Sequence, residues 1–332
     1  MSEPSPTQDA FQAVYDAPDD DAPRAALAEA LRAAGDPRGD FIALSLEPSL
    51  DKAGDKEKRR LLKAHGAEWL EPLRHVVVQK SVKWARGFPV AAELAMRPPA
   101  ERDASIGVPA LATLRALHLG KRELGFDGAW LQRFLLGSPL RNLRVLTGVW
   151  RDLLPALAAS DPPWKLERLH CLYWGGRPGK GEVKDAKRAF EAQIGLPALR
   201  DLTLTYVASG NGPSLYPWLA TTAFGKGLRS LTMDCEWSDI PAWHAQLVAW
   251  GDAVSLERVT FGHEDQDGRF RHDWLSLVRT ERGFTKITGV VGHMPAGPPG
   301  RLRNEIRKDE LARLDDILAT LPDLDERAIE RR

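Results

Sequence analysis

Leucine returns along this chain at a stride that few folds can use. The segments Leu111-Ala-Thr-Leu114-Arg-Ala-Leu117-His-Leu119 and Leu196-Pro-Ala-Leu199-Arg-Asp-Leu202-Thr-Leu204 both read L-x-x-L-x-x-L-x-L. Shorter copies run over Leu140 to Leu146, Leu166 to Cys171, Leu228 to Met233, Leu256 to Phe261 and Phe284 to Gly289. Anchored at positions 114, 143, 166, 199, 228, 256 and 284, the copies are 29, 23, 33, 29, 28 and 28 residues apart. Val90-Ala-Ala-Glu-Leu94, after the turn Arg86-Gly87-Phe88-Pro89, adds an eighth strand ahead of them. In L-x-L the leucines point to one face of a strand and x to the other. Between the copies lie stretches of helical periodicity: Trp130 to Leu135, Val183 to Ile194, Ala242 to Trp250 and Asp273 to Arg279. Gly and Pro stops follow them, as at Gly137-Ser-Pro139, Gly195-Leu-Pro197 and Gly283.

A period near 28 residues with this core resembles the leucine-rich repeat. The resemblance implies an α/β solenoid, with a parallel sheet on one face and helices on the other. One unit cannot bury its apolar faces alone, but stacked units seal a continuous dry slab. Parallel strands covered on both sides read as unbroken apolar runs. These strands alternate, so one sheet face is expected to stay open. Eight strands at about 4.8 Å spacing give a face roughly 35–40 Å long. The expected organisation is a disordered tail over 1–9, a helical domain over 10–80, a solenoid of about eight strands over 84–298, and a helical cap with a charged tail over 299–332. Leu302, Ile306, Leu311, Leu314, Ile317 and Leu318 form the dry side of that cap.

The N-terminal part has its own signals. Phe11 to Tyr15 starts a helix. Asp19-Asp-Asp21-Ala-Pro23 has the composition of helix capping rather than of a metal site. Gly35-Asp-Pro-Arg-Gly39 ends one helix and precedes the next, Asp40 to Leu46. Lys52 to Arg60 reads as a charged linker or helix end, and Lys58 to Trp69 as helix. The run Pro18 to Arg24 and the run Leu31-Arg-Ala-Ala-Gly35-Asp-Pro-Arg-Gly39-Asp-Phe-Ile42 resemble the short repeat-companion domain of bacterial leucine-rich-repeat proteins. The turn Arg86-Gly87-Phe88 fits the same resemblance, which covers about residues 10–50 closely. The family usually carries Ala-Asp-Trp in the first helix, where this chain has Ala28-Glu29-Ala30. The resemblance implies a repeat scaffold and supplies no catalytic residues.

Charge narrows the partner class. Lys plus Arg is 46 and Asp plus Glu is 46. A sequence-blind nucleic-acid binder or an anionic-lipid binder needs a basic surplus, so neither nucleic acid nor membrane is the expected partner. Met1 to Asp9 lacks the basic start and apolar stretch of a signal peptide, and no apolar run has the length of a membrane span, so a cytoplasmic protein is expected. Cys171 and Cys235 sit in or beside strand segments and read as small core residues.

The central x positions define the candidate site: Glu93, His118, Thr147, His170, Thr203, Thr232, Thr260 and Thr288. Thr205 and Asp234 follow one step along the face, and Trp174 and Trp237 lie just past their strands. Thr is β-branched and polar, so strand propensity alone favours it here. A binding reading uses the same hydroxyls as a ladder facing a protein or peptide, with the tryptophans as anchors. Trp130, Trp218 and Trp274 are assigned to helix stripes in the core.

A non-catalytic scaffold without cofactor or metal is therefore the leading expectation. An assembly subunit contacting its partner through the N-terminal module, at Arg38 or Phe41, is the second. A loop-metal hydrolase centred on His263, Asp265 and His272 is the third, although that spacing matches no metal motif. Trp174-Gly175-Gly-Arg-Pro-Gly179-Lys180-Gly181 approaches a phosphate loop, but it is one residue short and lacks the Ser/Thr that would hold Mg²⁺.

Overall fold

A computed structural model describes residues 6–95, 101, 103–120, 128–150, 153–158, 160–172, 196–204, 217–234, 237–264, 270–291, 312, 314–321 and 324–331. The chain divides into two units, Met1–Thr147 and Gly148–Arg332. The division falls within the series of leucine copies, and the helical module shares a unit with the first strands.

The first unit opens with four helices, and at the start of the last three an aspartate accepts from a first-turn amide. They are α1 (Pro6–Asp16), α2 (Ala22–Ala33), α3 (Pro37–Leu46) and α4 (Lys52–Trp69). Asp20 Oδ1 accepts from the Ala22 amide at 2.9 Å, Asp36 from Arg38 at 2.8 Å and Asp51 from Gly54 at 2.7 Å. These satisfy amides that the first turn leaves unbonded. Three boundaries differ from the sequence expectation. Helix α1 starts at Pro6, so residues 6–9 are helical rather than part of a disordered tail. Helix α3 starts at Pro37, three residues before Asp40. The charged stretch Lys52 to Arg60 is the first half of α4, so of its two readings the helix end holds, extended over the whole stretch, and the linker does not. Its charges pair along the helix, with Arg59 to Asp55 and Arg60 to Glu57 both at 2.6 Å.

The helices bury two clusters. Val14, Leu27, Ala28, Leu31 and Ile42 enclose Phe88, while Phe41, Leu61 and Trp69 form the other. Helix α2 packs through Leu27, Ala28 and Leu31, so it does not need the aromatic that the resemblance would place near Ala30. Phe88 lies between two guanidinium groups, Arg24 at 5.4 Å and Arg38 at 5.2 Å from its ring centroid. Arg24 is 1% exposed, and its two terminal nitrogens donate to the Asp20 and Pro18 carbonyls at 2.8 Å. Burial, and then the charge of Arg86, lower its pKa to about 10, so it remains a cation at neutral pH. The triple aspartate serves this junction: Asp21 pairs with Arg86, and Asp19 with Arg115 at 2.5 Å.

Strands follow. β1 (Lys83–Ala85) pairs antiparallel with β2 (Phe88–Glu93) across Arg86 and Gly87, both at positive φ (52° and 82°). β2, β3 (Ala116–His118) and β4 (Val145–Trp150) are parallel, and α5 (Gly128–Gly137) buries Trp130, Leu131, Phe134 and Leu135.

The second unit repeats the pattern. After the short helix α6 (Leu154–Ala158), β5 (Arg168–Leu172), β6 (Asp201–Leu204), β7 (Ser230–Asp234) and β8 (Arg258–Glu264) run parallel in strict register. Cys171, Leu204, Met233 and Phe261 share one register position and are all 0% exposed. Helices α7 (Trp218–Thr221), α8 (Ala223–Gly227) and α9 (Ile240–Trp250) lie between strands. Helix α9 sets Trp243 against Phe261, ring centroids 6.3 Å apart, on the apolar side of the strands. Each unit is thus α/β with mostly parallel strands.

Two expectations are corrected here. Asp273 to Arg279 belongs to strand β9 (Phe270–Thr280), not to a helix. It pairs antiparallel with β8 and with β10 (Gly283–Val291), so the copy at Phe284 closes a meander instead of opening another parallel repeat. Trp274-Leu-Ser-Leu-Val278 alternates with period two, which buries Leu275 and Leu277 and suits a strand. The charged tail is also structured. β11 (Glu326–Arg331) runs parallel to β10, tied by Lys286 to Glu326 and by Arg282 to Asp325, both at 2.7 Å. Leu314 and Leu318 of the expected cap are buried, while Leu302, Ile306 and Leu311 lie outside the described residues.

No helix among the described residues is long and apolar enough to cross a membrane. Cys171 is fully buried, and burial pushes its thiol well above the ordinary range; Cys235 lies outside the described residues. A Cys235→Ser variant should therefore leave Ellman's reagent unreacted in the folded state, even at mildly alkaline pH, and react once urea unfolds it. Rapid labelling of the folded variant would contradict the packing of β5.

Candidate functional site

Register turns the x positions into rows. In the first unit Glu93, His118 and Thr147 are direct neighbours across β2, β3 and β4. His118 Nδ1 and Thr147 Oγ1 lie 2.6 Å apart, so part of this polarity is satisfied within the row. All three side chains are half-buried. The preceding residues on the same face are Ala91, Ala116 and Val145. Because Ala91 and Ala116 carry single methyl groups, the face sinks there into a recess of about 240 Å³. Lys83 and Ser81 line its outer side, and Glu93, His118 and Thr147 its far end. Ser81 Oγ is held by the backbone, accepting from the Glu93 amide at 2.8 Å and donating to the Val78 carbonyl at 2.7 Å. Among the described residues neither the Lys83 ammonium nor the Glu93 carboxylate has an ion-pair partner.

In the second unit the row is His170, Thr203, Thr232, Thr260, Ser276 and Thr288, ending at Ala328. Seven positions at about 4.8 Å make a row about 29 Å long. The threonines are half-buried, whereas Ser276 is 0% exposed, its Oγ 2.8 Å from Thr260 Oγ1. One step earlier the face carries Arg168, Asp201, Ser230, Arg258, Val278, Lys286 and Glu326. Arg168 and Asp201 are 3.4 Å apart. The surface therefore mixes charges of both signs and offers hydroxyls in file, a character suited to recognising polar groups rather than to burying a large apolar ligand.

The x residues thus fall into one row in each unit, although Thr288 reaches its row only through the antiparallel strand β9. Asp234 is placed by its backbone opposite Gly262 at the end of β7. Trp237 lies half-buried in a short 3₁₀ turn (Trp237–Asp239). Thr205 and Trp174 lie outside the described residues, as do the glycine-rich loop 175–181 and Asp265. His263 and His272 are placed on β8 and β9 by their backbone alone. Among the described residues no group of three His, Cys, Asp or Glu could hold a metal ion. Two residues of the second row's face escaped the sequence reading: Ser276 and, beside it, half-buried Trp274, which stands opposite Gly262 and Val290. The period-two alternation around them was the available signal. Lys83 carried no sequence signal at all.

Arg38 is 9% exposed and Phe41 0%, so neither can make the direct partner contact expected of the N-terminal module. Comparison with family models, with curated proteins and with solved structures returned no match for this chain.

Proposed function

We propose that this chain is a non-catalytic leucine-rich-repeat scaffold, with a repeat-companion module at its N-terminus, that holds a protein or peptide partner against the polar face of its strands. The observation that carries the reading is the two-sidedness of the strands: from β5 to β8 Leu169, Cys171, Leu202, Leu204, Leu231, Met233, Val259 and Phe261 are buried on one face, while His170, Thr203, Thr232 and Thr260 stay half-exposed in register. A strand face with hydrogen-bonding side chains at fixed spacing can recognise an extended or loop-bearing partner without conformational change. The module then acts as the lid on the first strands through Phe88, Arg86 and Asp21. The cytoplasm of a bacterium is the setting this reading implies.

Substitution on the two surfaces tests it. Thr203→Arg and Thr232→Glu combined place opposite charges on neighbouring strands, which limits their mutual repulsion. The double variant should lower capture of the native partner by about tenfold or more at an unchanged melting temperature, tenfold being about 1.4 kcal/mol. Arg59→Glu on α4, where the parent side chain is 78% exposed, should leave capture unchanged. The opposite pattern would move the contact to the module.

A further inference from the structure

The recess in the first unit has a polarity of its own. Its floor is methyl groups, from Ala91 and Ala116, with Val145 beside them. On its outer side, one strand over, stands Lys83, whose register partner is Ala91. At its far end stands Glu93, two residues beyond Ala91 along β2, with His118 as its neighbour on β3. Two residues of a strand span about 6.6–6.8 Å and return to the same face. One positive and one negative group, without an ion-pair partner among the described residues, thus share one face as diagonal neighbours, one strand apart and two residues along, about 8 Å between their Cα positions.

We infer that this recess selects its partner: it receives an extended segment bearing an acidic and a basic side chain two positions apart, the acid against Lys83 and the base against Glu93. In an extended peptide, residues i and i+2 point the same way about 6.6–6.8 Å apart, and the long Lys83 and Glu93 side chains cover the remaining offset, so both pairs form together, while the residue between them points away. A segment with its two charges adjacent presents only one of them to the floor. A segment of single sign meets attraction at one end and repulsion at the other. The methyl floor leaves room for the aliphatic stems of the incoming side chains. The segment can lie in either direction, since exchanging the order of acid and base reverses the chain without changing the pairs. This rests on the open-face reading above and names the chemistry of the partner at one end of it.

The test uses the full chain, ¹⁵N-labelled, and two blocked tripeptides: acetyl-Asp-Ala-Arg-amide and acetyl-Asp-Arg-Ala-amide. The first should shift the amide signals of 91–93 and 116–118 and saturate in the millimolar range, and the second should bind at least about fivefold more weakly, a difference of about 1 kcal/mol. Lys83→Glu and Glu93→Lys should each weaken the first peptide about tenfold. The double variant, Lys83→Glu with Glu93→Lys, should restore binding, because the recess is again bipolar. Neither single variant removes an ion pair between described residues, so their melting temperatures should match the parent's. Equal binding of the two peptides, shifts confined to other residues, or failure of the double variant to restore binding each overturns the inference. If those failures occur while the threonine substitutions still abolish partner capture, this inference falls alone. If the recess behaves as stated but the threonine substitutions leave capture intact, the wider face reading falls instead.

Discussion

Replacing Phe88 with alanine should destabilise the first unit by about 3–5 kcal/mol, the range for truncating a fully buried phenylalanine. Phe88 is 1% exposed and is the point at which strand β2 enters the helical core of Val14, Leu27, Leu31 and Ile42. Its ring also lies against Arg24 and Arg38. Removing it leaves a cavity and takes a π-face from two desolvated cations, and a buried charge without compensation is costly. The turn before it is equally committed. A Cβ on Gly87 would lie 2.5 Å from Ile42 Cγ1 and 2.9 Å from Ile42 Cα, at a φ of +82° that side chains rarely adopt. Thermal unfolding followed by tryptophan fluorescence checks the prediction, with a drop of order 10 °C expected. A variant melting within a degree or so of the parent would show that Phe88 does not join strand and module.

Gly289→Val should be about as damaging in the second unit. Gly289 faces Leu275 across the antiparallel β9–β10 pair. A Cβ there would fall on the Trp274 carbonyl oxygen and come within 2.9 Å of Leu275 Cα. Both obstacles are backbone, so the strands must part, and overpacking of this kind costs about 3 kcal/mol or more. Gly128→Ala is the matched control. It sits in α5 with nothing within 4 Å of the new methyl group, and it should be neutral or stabilising by a few tenths to about 1 kcal/mol. Urea unfolding, with amide exchange at 275–277, reads both variants. Equal stability of the two would contradict the antiparallel register and restore a parallel repeat at Phe284.

The parts of the fold visible in the chain are those set by burial of alternate residues. Leu117, Leu146, Leu169, Leu202, Leu231 and Val259 are at most 1% exposed, as the L-x-L pattern requires. The residues preceding or following them, from His118 to Thr260, lie in the rows that the pattern implies. The misassigned segments share a different cause. Lys52 to Arg60 has no apolar stripe, and its helix is held by Asp51 at the cap and by charge pairs that a pattern of hydrophobicity does not register. β11 carries Glu326, Arg327, Glu330 and Arg331, and it becomes a strand because β10 offers it a free edge and Lys286 a counter-charge. The recess was equally hidden. Ala91 and Ala116 are unremarkable as sequence, and only their adjacency across β2 and β3, with Lys83 brought up by the hairpin turn, makes a cavity of them.

Side-chain alternation is a local property, so the chain alone was enough to say which residues of each strand turn to the dry side and which join the polar rows. Direction of pairing is not local. β10 has the same alternation whether its neighbour runs with it or against it, and the choice was made by the turn at Glu281-Arg282-Gly283, where φ of +100° at Gly283 allows β9 to double back. Only the folded chain could decide that, just as only the folded chain could set Lys83 and Glu93 diagonally across β1 and β2 beside a floor of two methyl groups.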